Sequence, residues 1–222
     1  MNIRILLFIA ISLTPAVINA QTSAFKRGDA LVAQENYRAA IVEYSKVSPR
    51  NGDLYARAIY NIGVCHYELW QTEEAIVFYK RAVELKLGNY PRASYALGIA
   101  LDDQGRLTEA RAAYEQALAA SNRQFAPATY RLGLLAAGAG EFEKAAALFK
   151  EAATYAGKHV AASHNNHGVM LVRLGYLKEA EKEFDNALKA SAGRLADAAH
   201  NLNLCRSLTS GLRPDYKLSV IN

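Results

Sequence analysis

Chemistry in this chain would have to start from a histidine-rich stretch, two cysteines and two adjacent acidic pairs. Ser163-His164-Asn165-Asn166-His167 carries two imidazoles three residues apart, a spacing that puts both on one helix face. His200 follows further along the chain. Neutral imidazoles bind zinc, but no acidic or cysteine residue completes a zinc-ligand spacing around them. The expectation is a hydrogen-bonded polar seam, with no metal site. Asp102 and Asp103 are neighbours in sequence, so on a helix they point to different faces and cannot work as an acid–base pair. Glu73-Glu74 falls near a helix start, where negative charge suits the dipole. There is no nucleophile elbow, no phosphate-cradling glycine loop and no cysteine paired with a nearby histidine. The sequence therefore predicts no catalytic residues, no cofactor and no enzyme.

The elements that position these groups follow from a repeat. Gly28, Gly63, Gly98, Gly133 and Gly168 recur every 35 residues. Twelve residues after each stands an alanine (Ala40, Ala75, Ala110, Ala145, Ala180), and four further on an aromatic (Tyr44, Tyr79, Tyr114, Phe149, Phe184). In Arg92–Leu118, Ser94, Leu97, Gly98 and Leu101 line one helix face, and Ala110, Ala113, Tyr114 and Ala117 line another. The glycine before each second helix (Gly105, Gly140, Gly175) suits a left-handed turn; Trp70 and Glu35 stand in that slot in the first two copies, and Trp70 is expected to pack over a seam between repeats. Pro91 and Pro127 suit helix starts. His66 and the cysteines occupy packing slots. Cys65 and Cys205 share one slot four repeats apart, too far for a disulfide, so both are expected reduced and buried.

This in-phase pattern resembles the tetratricopeptide repeat family. The resemblance covers about residues 21–207. It implies an all-α fold: a right-handed α-solenoid of five helix-turn-helix repeats, at about 21–55, 56–90, 91–125, 126–160 and 161–194, closed by a capping helix at 195–208. Asp197, Asn201, Asn203 and Arg206 are expected to make that helix's outer side polar. Residues 209–222 have no period and are expected to form a flexible tail, whose Tyr216, Leu218, Val220 and Ile221 can fold back on a neighbouring surface.

In that family the first helices line a concave groove that holds a ligand peptide. The matching rows here contain Phe25, Tyr60, Tyr95, Tyr130 and Asn165; Arg57 and Arg92; and Asp29, Val64, Ile99, Leu134 and Val169. The candidate partner-binding residues are Arg57, Tyr60, Asn61, Val64 and Tyr67 in the second repeat, Arg92, Tyr95 and Ile99 in the third, and Tyr130 and Leu134 in the fourth. Tyr offers amphipathic contact and Arg anchors carboxylates; the same Tyr slot also serves the scaffold. The family's carboxylate clamp is matched only by Asn61 and Arg92, because Phe25, Asp29 and Ala96 stand where Lys, Asn and Arg are needed.

The chain has 222 residues, 51% hydrophobic, with a formal charge of +5 and no long basic block, so nothing demands nucleic acid or an anionic membrane. Arg4, the apolar run Ile5–Leu13, Pro15 and Ala20 have the layout of a secretory signal peptide over residues 1–20, which leaves no membrane anchor after cleavage. The expectation is a periplasmic or secreted scaffold that binds a protein or peptide partner. The alternatives are a structural subunit of an envelope or secretion assembly that uses its convex face or tail, and, more remotely, an RNA-binding helical repeat of the pentatricopeptide kind.

Overall fold

The computed structural model describes residues 15–155, 157–211 and 218–221. The apolar run Ile5–Leu13 and Tyr216 lie outside them. Among the described residues the chain forms eleven α-helices, one short 3₁₀ turn and no strand. They fall into two compact units, divided between Leu87 and Gly88.

The first unit holds α1 (Pro15–Val32), α2 (Tyr37–Tyr44), α3 (Gly52–Glu68) and α4 (Thr72–Leu85), with the 3₁₀ turn Pro49–Asn51 before α3. α1 runs without a break past Ala20, so the expected cleavage point falls inside a helix. Asn36 caps α2 by accepting from the Ala39 amide. Gln21 is buried and its side-chain oxygen accepts from Ser48 N and Asn51 Nδ2, which ties α1 to the loop before α3.

The second unit holds α5 (Pro91–Asp103), α6 (Leu107–Ala119), α7 (Ala126–Gly138), α8 (Phe142–Ala153), α9 (Val160–Arg173), α10 (Leu177–Ala190) and α11 (Ala196–Thr209). Consecutive helices pair as hairpins, α5 with α6, α7 with α8 and α9 with α10, and α11 packs on α10 and α9. Tyr130, Phe149, Val169, Met170, Phe184 and Leu202 belong to one buried core. Pro91 opens α5, where its missing amide hydrogen costs nothing.

The repeated glycine sets the distance within each hairpin. A Cβ on Gly98 would lie 2.4 Å from the Tyr114 ring, closer than any real contact. Gly28 meets Tyr44 in the same way, Gly63 Tyr79, Gly133 Phe149 and Gly168 Phe184. The sixteen-residue offset between glycine and aromatic is thus a single packing unit copied five times. Gly105, Gly140 and Gly175 all have positive φ, as the turn requires.

Trp70 does not pack over a seam. It sits in the equivalent turn at φ +60° and is 92% exposed. The turn geometry, set by the flanking helices, overrides the side chain's preference, and the left-handed position points the indole into solvent.

Both cysteines are free and buried. Burial pushes the Cys65 thiol up to about 11, which leaves it protonated and unreactive near neutrality. No helix among the described residues is long and apolar enough to cross a membrane.

Candidate functional site

In the first unit, Asp29 on α1 accepts from Tyr44 Oη at 2.7 Å and from Asn61 Nδ2 at 3.3 Å. These residues, with Val64, line a cleft of about 340 Å³. The Arg57 guanidinium lies 4.8 Å above the Phe25 ring, a cation–π contact, with the arginine itself exposed. Tyr60 and Tyr67 are half-buried. Tyr60 leans on Tyr79 with ring centroids 5.8 Å apart.

In the second unit, Tyr95 is half-buried between Tyr114 and Phe125, at 5.8 and 5.4 Å. Arg92 is exposed, and Ile99 and Leu134 are half-buried. Asp102 is held above the usual carboxylate range by burial, against the opposing charge of Arg131. Tyr130 is 1% exposed, set edge-on to Phe149 and stacked on His159. The row therefore has a scaffold role in the first four hairpins, since Phe25, Tyr60, Tyr95 and Tyr130 each rest on the aromatic of their own second helix; in the fifth it holds Asn165. What it offers outward is a ring edge or a hydroxyl.

The tail folds back as its apolar residues allow, but the sequence pattern missed the side chains that hold it. Residues 218–221 are non-helical and lie on α7, α9 and α11. Asn201 brackets Ser219: Ser219 N donates to Asn201 Oδ1 at 2.9 Å, and Asn201 Nδ2 donates to Ser219 O at 2.8 Å. Asn166 does the same to Ile221, with both bonds at 2.7 Å. Asn165 Nδ2 adds a bond to Ser219 O at 3.0 Å, and Tyr130 Oη donates to Ile221 O. Alternate residues that present N–H and C=O to one side are the signature of an extended chain.

The amides also hold one another. Asn201 Nδ2 donates to Asn165 Oδ1, Asn165 Nδ2 to Asn166 Oδ1, and Asn166 Nδ2 to Tyr130 Oη. All three asparagines are fully buried. Leu218 packs against the core of the unit, while Val220 is 37% exposed.

Two expectations change here. Asn201 is not on a polar outer side of the last helix. It is buried under residues 218–221, because its amide has main-chain partners there. The tail segment, expected to be flexible but able to fold back, is folded back over its described residues and held there by main-chain hydrogen bonds. A signal for this was present: Asn61, Asn166 and Asn201 share one repeat register, spaced at multiples of 35 residues, and Asn165 stands in the tyrosine row.

The histidine stretch supplies a different contact. His164 Nδ1 lies 2.7 Å from Glu183 Oε2 on α10, and His167 Nδ1 lies 3.3 Å from the same oxygen. Burial works against the charge on Glu183, but the two imidazoles outweigh it and hold the carboxyl down at about 2. Among the described residues, no group of three or more His, Cys, Asp or Glu forms a metal-binding cluster.

A family model described as tetratricopeptide repeat matches residues 25–94, 80–125, 95–161 and 130–194. No curated protein matches the chain. Among solved structures, MamA from Desulfovibrio magneticus is similar at a TM-score of 0.65 and 20% identity, covering 80% of this chain and 98% of that one. YrrB, described as a TPR protein with an unusual peptide-binding site, is similar at 0.64 and 19%, covering 83% and 96%. TTC0263, a TPR protein of Thermus thermophilus, is similar at 0.55 and 22%, covering 84% and 99%.

Proposed function

The chain belongs to the tetratricopeptide repeat family, and from that membership we propose that it is a non-enzymatic interaction module that binds an extended segment of a partner protein on the faces of its first helices. One observation carries this reading: the α7–α9–α11 face already holds a stretch of extended chain through main-chain hydrogen bonds. Side-chain amides buried in pairs with a peptide's N–H and C=O are chemistry for holding polypeptide. The similarity to YrrB, itself described by a peptide-binding site, supports the same class of ligand. The layout of residues 1–20 supports a place in the cell envelope or outside the cell.

The test is affinity capture with the chain and with an Arg92→Glu/Ile99→Asp variant, whose two positions are exposed or half-buried on α5. The variant, folded by circular dichroism, loses the captured partner. Capture of the same partner in the same amount overturns the assignment of the first-helix face.

A second reading, assembly through an outer surface, is favoured by Trp70. A left-handed backbone costs an ordinary residue on the order of 1–2 kcal/mol, yet Trp70 is exposed and contributes nothing to the core. Loss of assembly in Trp70→Ala, with capture by the first-helix face intact, distinguishes this reading from the first.

A further inference from the structure

We propose that residues 218–221 are a resident ligand in cis: they occupy the site a partner's segment would use, so this face is closed in the free protein and opens when the segment is displaced. The inference rests on the peptide-binding reading above.

The geometry distinguishes a ligand from a simple terminal strap. A strap is held by whatever lies beneath it. Here the contacts are matched pairs at alternate residues, Asn201 on both polar atoms of Ser219 and Asn166 on both of Ile221. The amides are pre-set by bonds to one another and to Tyr130. Such pre-organisation lowers the ordering cost of whatever peptide binds. When residues 218–221 leave, Asn165, Asn166 and Asn201 lose these partners and meet water or another peptide. The site is thus built for main chain, and this chain supplies the main chain.

The chemistry also defines the competitor. It is an extended peptide with a free N–H at two positions two residues apart, so neither is proline. An aliphatic residue precedes the first of these, where Leu218 packs on the core. The side chain between them is unconstrained, as at the exposed Val220. A tethered segment acts at an effective concentration on the order of millimolar, so a competitor of equal intrinsic affinity binds weakly until the segment is released.

The probe is a labelled synthetic peptide with the sequence of residues 213–222, titrated against the full chain and against a chain ending at residue 211. The shortened chain binds the peptide, and the full chain binds it at least about tenfold more weakly. Asn166→Ala/Asn201→Ala in the shortened chain abolishes binding. Equal affinity for the two chains, or no binding to a shortened chain that is folded by circular dichroism, overturns the proposal.

Should the shortened chain fail to fold, Ser219→Pro/Ile221→Pro in the full chain removes the two donated amide hydrogens at full length, and it gains the same binding; no gain overturns the proposal. Hydrogen exchange reports the docking directly. The Ser219 and Ile221 amides are protected in the full chain, equally at low and high protein concentration. No protection, or protection lost on dilution as expected for a segment from a second copy, overturns the cis assignment. These readouts do not involve the partner. If they succeed while partner capture ignores Arg92 and Ile99, the groove reading fails and the resident ligand stands.

Discussion

The side-chain amide of Asn166 and the main chain of Ile221 meet head to head, each donating to the other at 2.7 Å. Both atoms of the amide are used, and so are both polar atoms of the residue. This makes the contact sensitive to the smallest change of side chain. Asn166→Asp keeps the acceptor for Ile221 N–H but sets a carboxylate oxygen against the Ile221 carbonyl. Ile221 O keeps the Tyr130 hydroxyl but loses the amide donor and faces a carboxylate oxygen instead, a buried mismatch that costs about 1–3 kcal/mol, so the Ile221 amide exchanges at least about tenfold faster in the variant. Exchange monitored by mass spectrometry or NMR checks it.

Gly98→Ala destabilises the second unit by about 1–3 kcal/mol, since the new methyl would meet the buried Tyr114 ring at 2.4 Å. Adding Tyr114→Leu recovers part of that loss, so the double variant is more stable than the sum of the single effects. Chemical denaturation of the four proteins measures the coupling. Additive losses would show that the glycine is not there for the ring.

Trp70→Gly raises the stability of the first unit by roughly 0.5–1 kcal/mol, because glycine adopts a left-handed φ without the penalty that other residues carry. No core contact is lost, as the indole is 92% exposed. The midpoint of denaturant unfolding checks the sign.

Acid weakens the fold through Glu183. Its carboxyl titrates at about 2 in the folded protein against 4.5 for an ordinary glutamate. A depressed folded value means that the unfolded state takes up the proton first. The contribution is therefore complete above about pH 4.5 and disappears as pH falls toward about 2. Glu183→Gln flattens the stability profile across that window, and denaturation at several pH values between about 2 and 6 detects it.

The hairpins were legible in the sequence because each is held by residues at fixed offsets. Gly98 and Tyr114 are sixteen apart in sequence and in contact in space, and repetition at one period makes such pairs visible. Asn201 was misassigned for the opposite reason. Its partner, Ser219, lies beyond the last repeat, in a stretch with no period to give its path. Glu183 escaped notice as the partner of His164 and His167 because the three copies before it carry Phe78, Ala113 and Leu148 in its slot; only Glu43 in the first copy repeats it, where it pairs with Arg27. Trp70 showed as an anomaly in sequence, but only the turn's φ decides where an indole in that slot goes.

The asparagine grip also bears on how a partner is to be found. It engages atoms that every residue but proline possesses, so scanning proteomes for a consensus would return nearly everything. Clients would instead be selected by whether they can lie straight and unhindered for a few residues, and by proximity. Discovery then calls for in-cell crosslinking rather than motif searching.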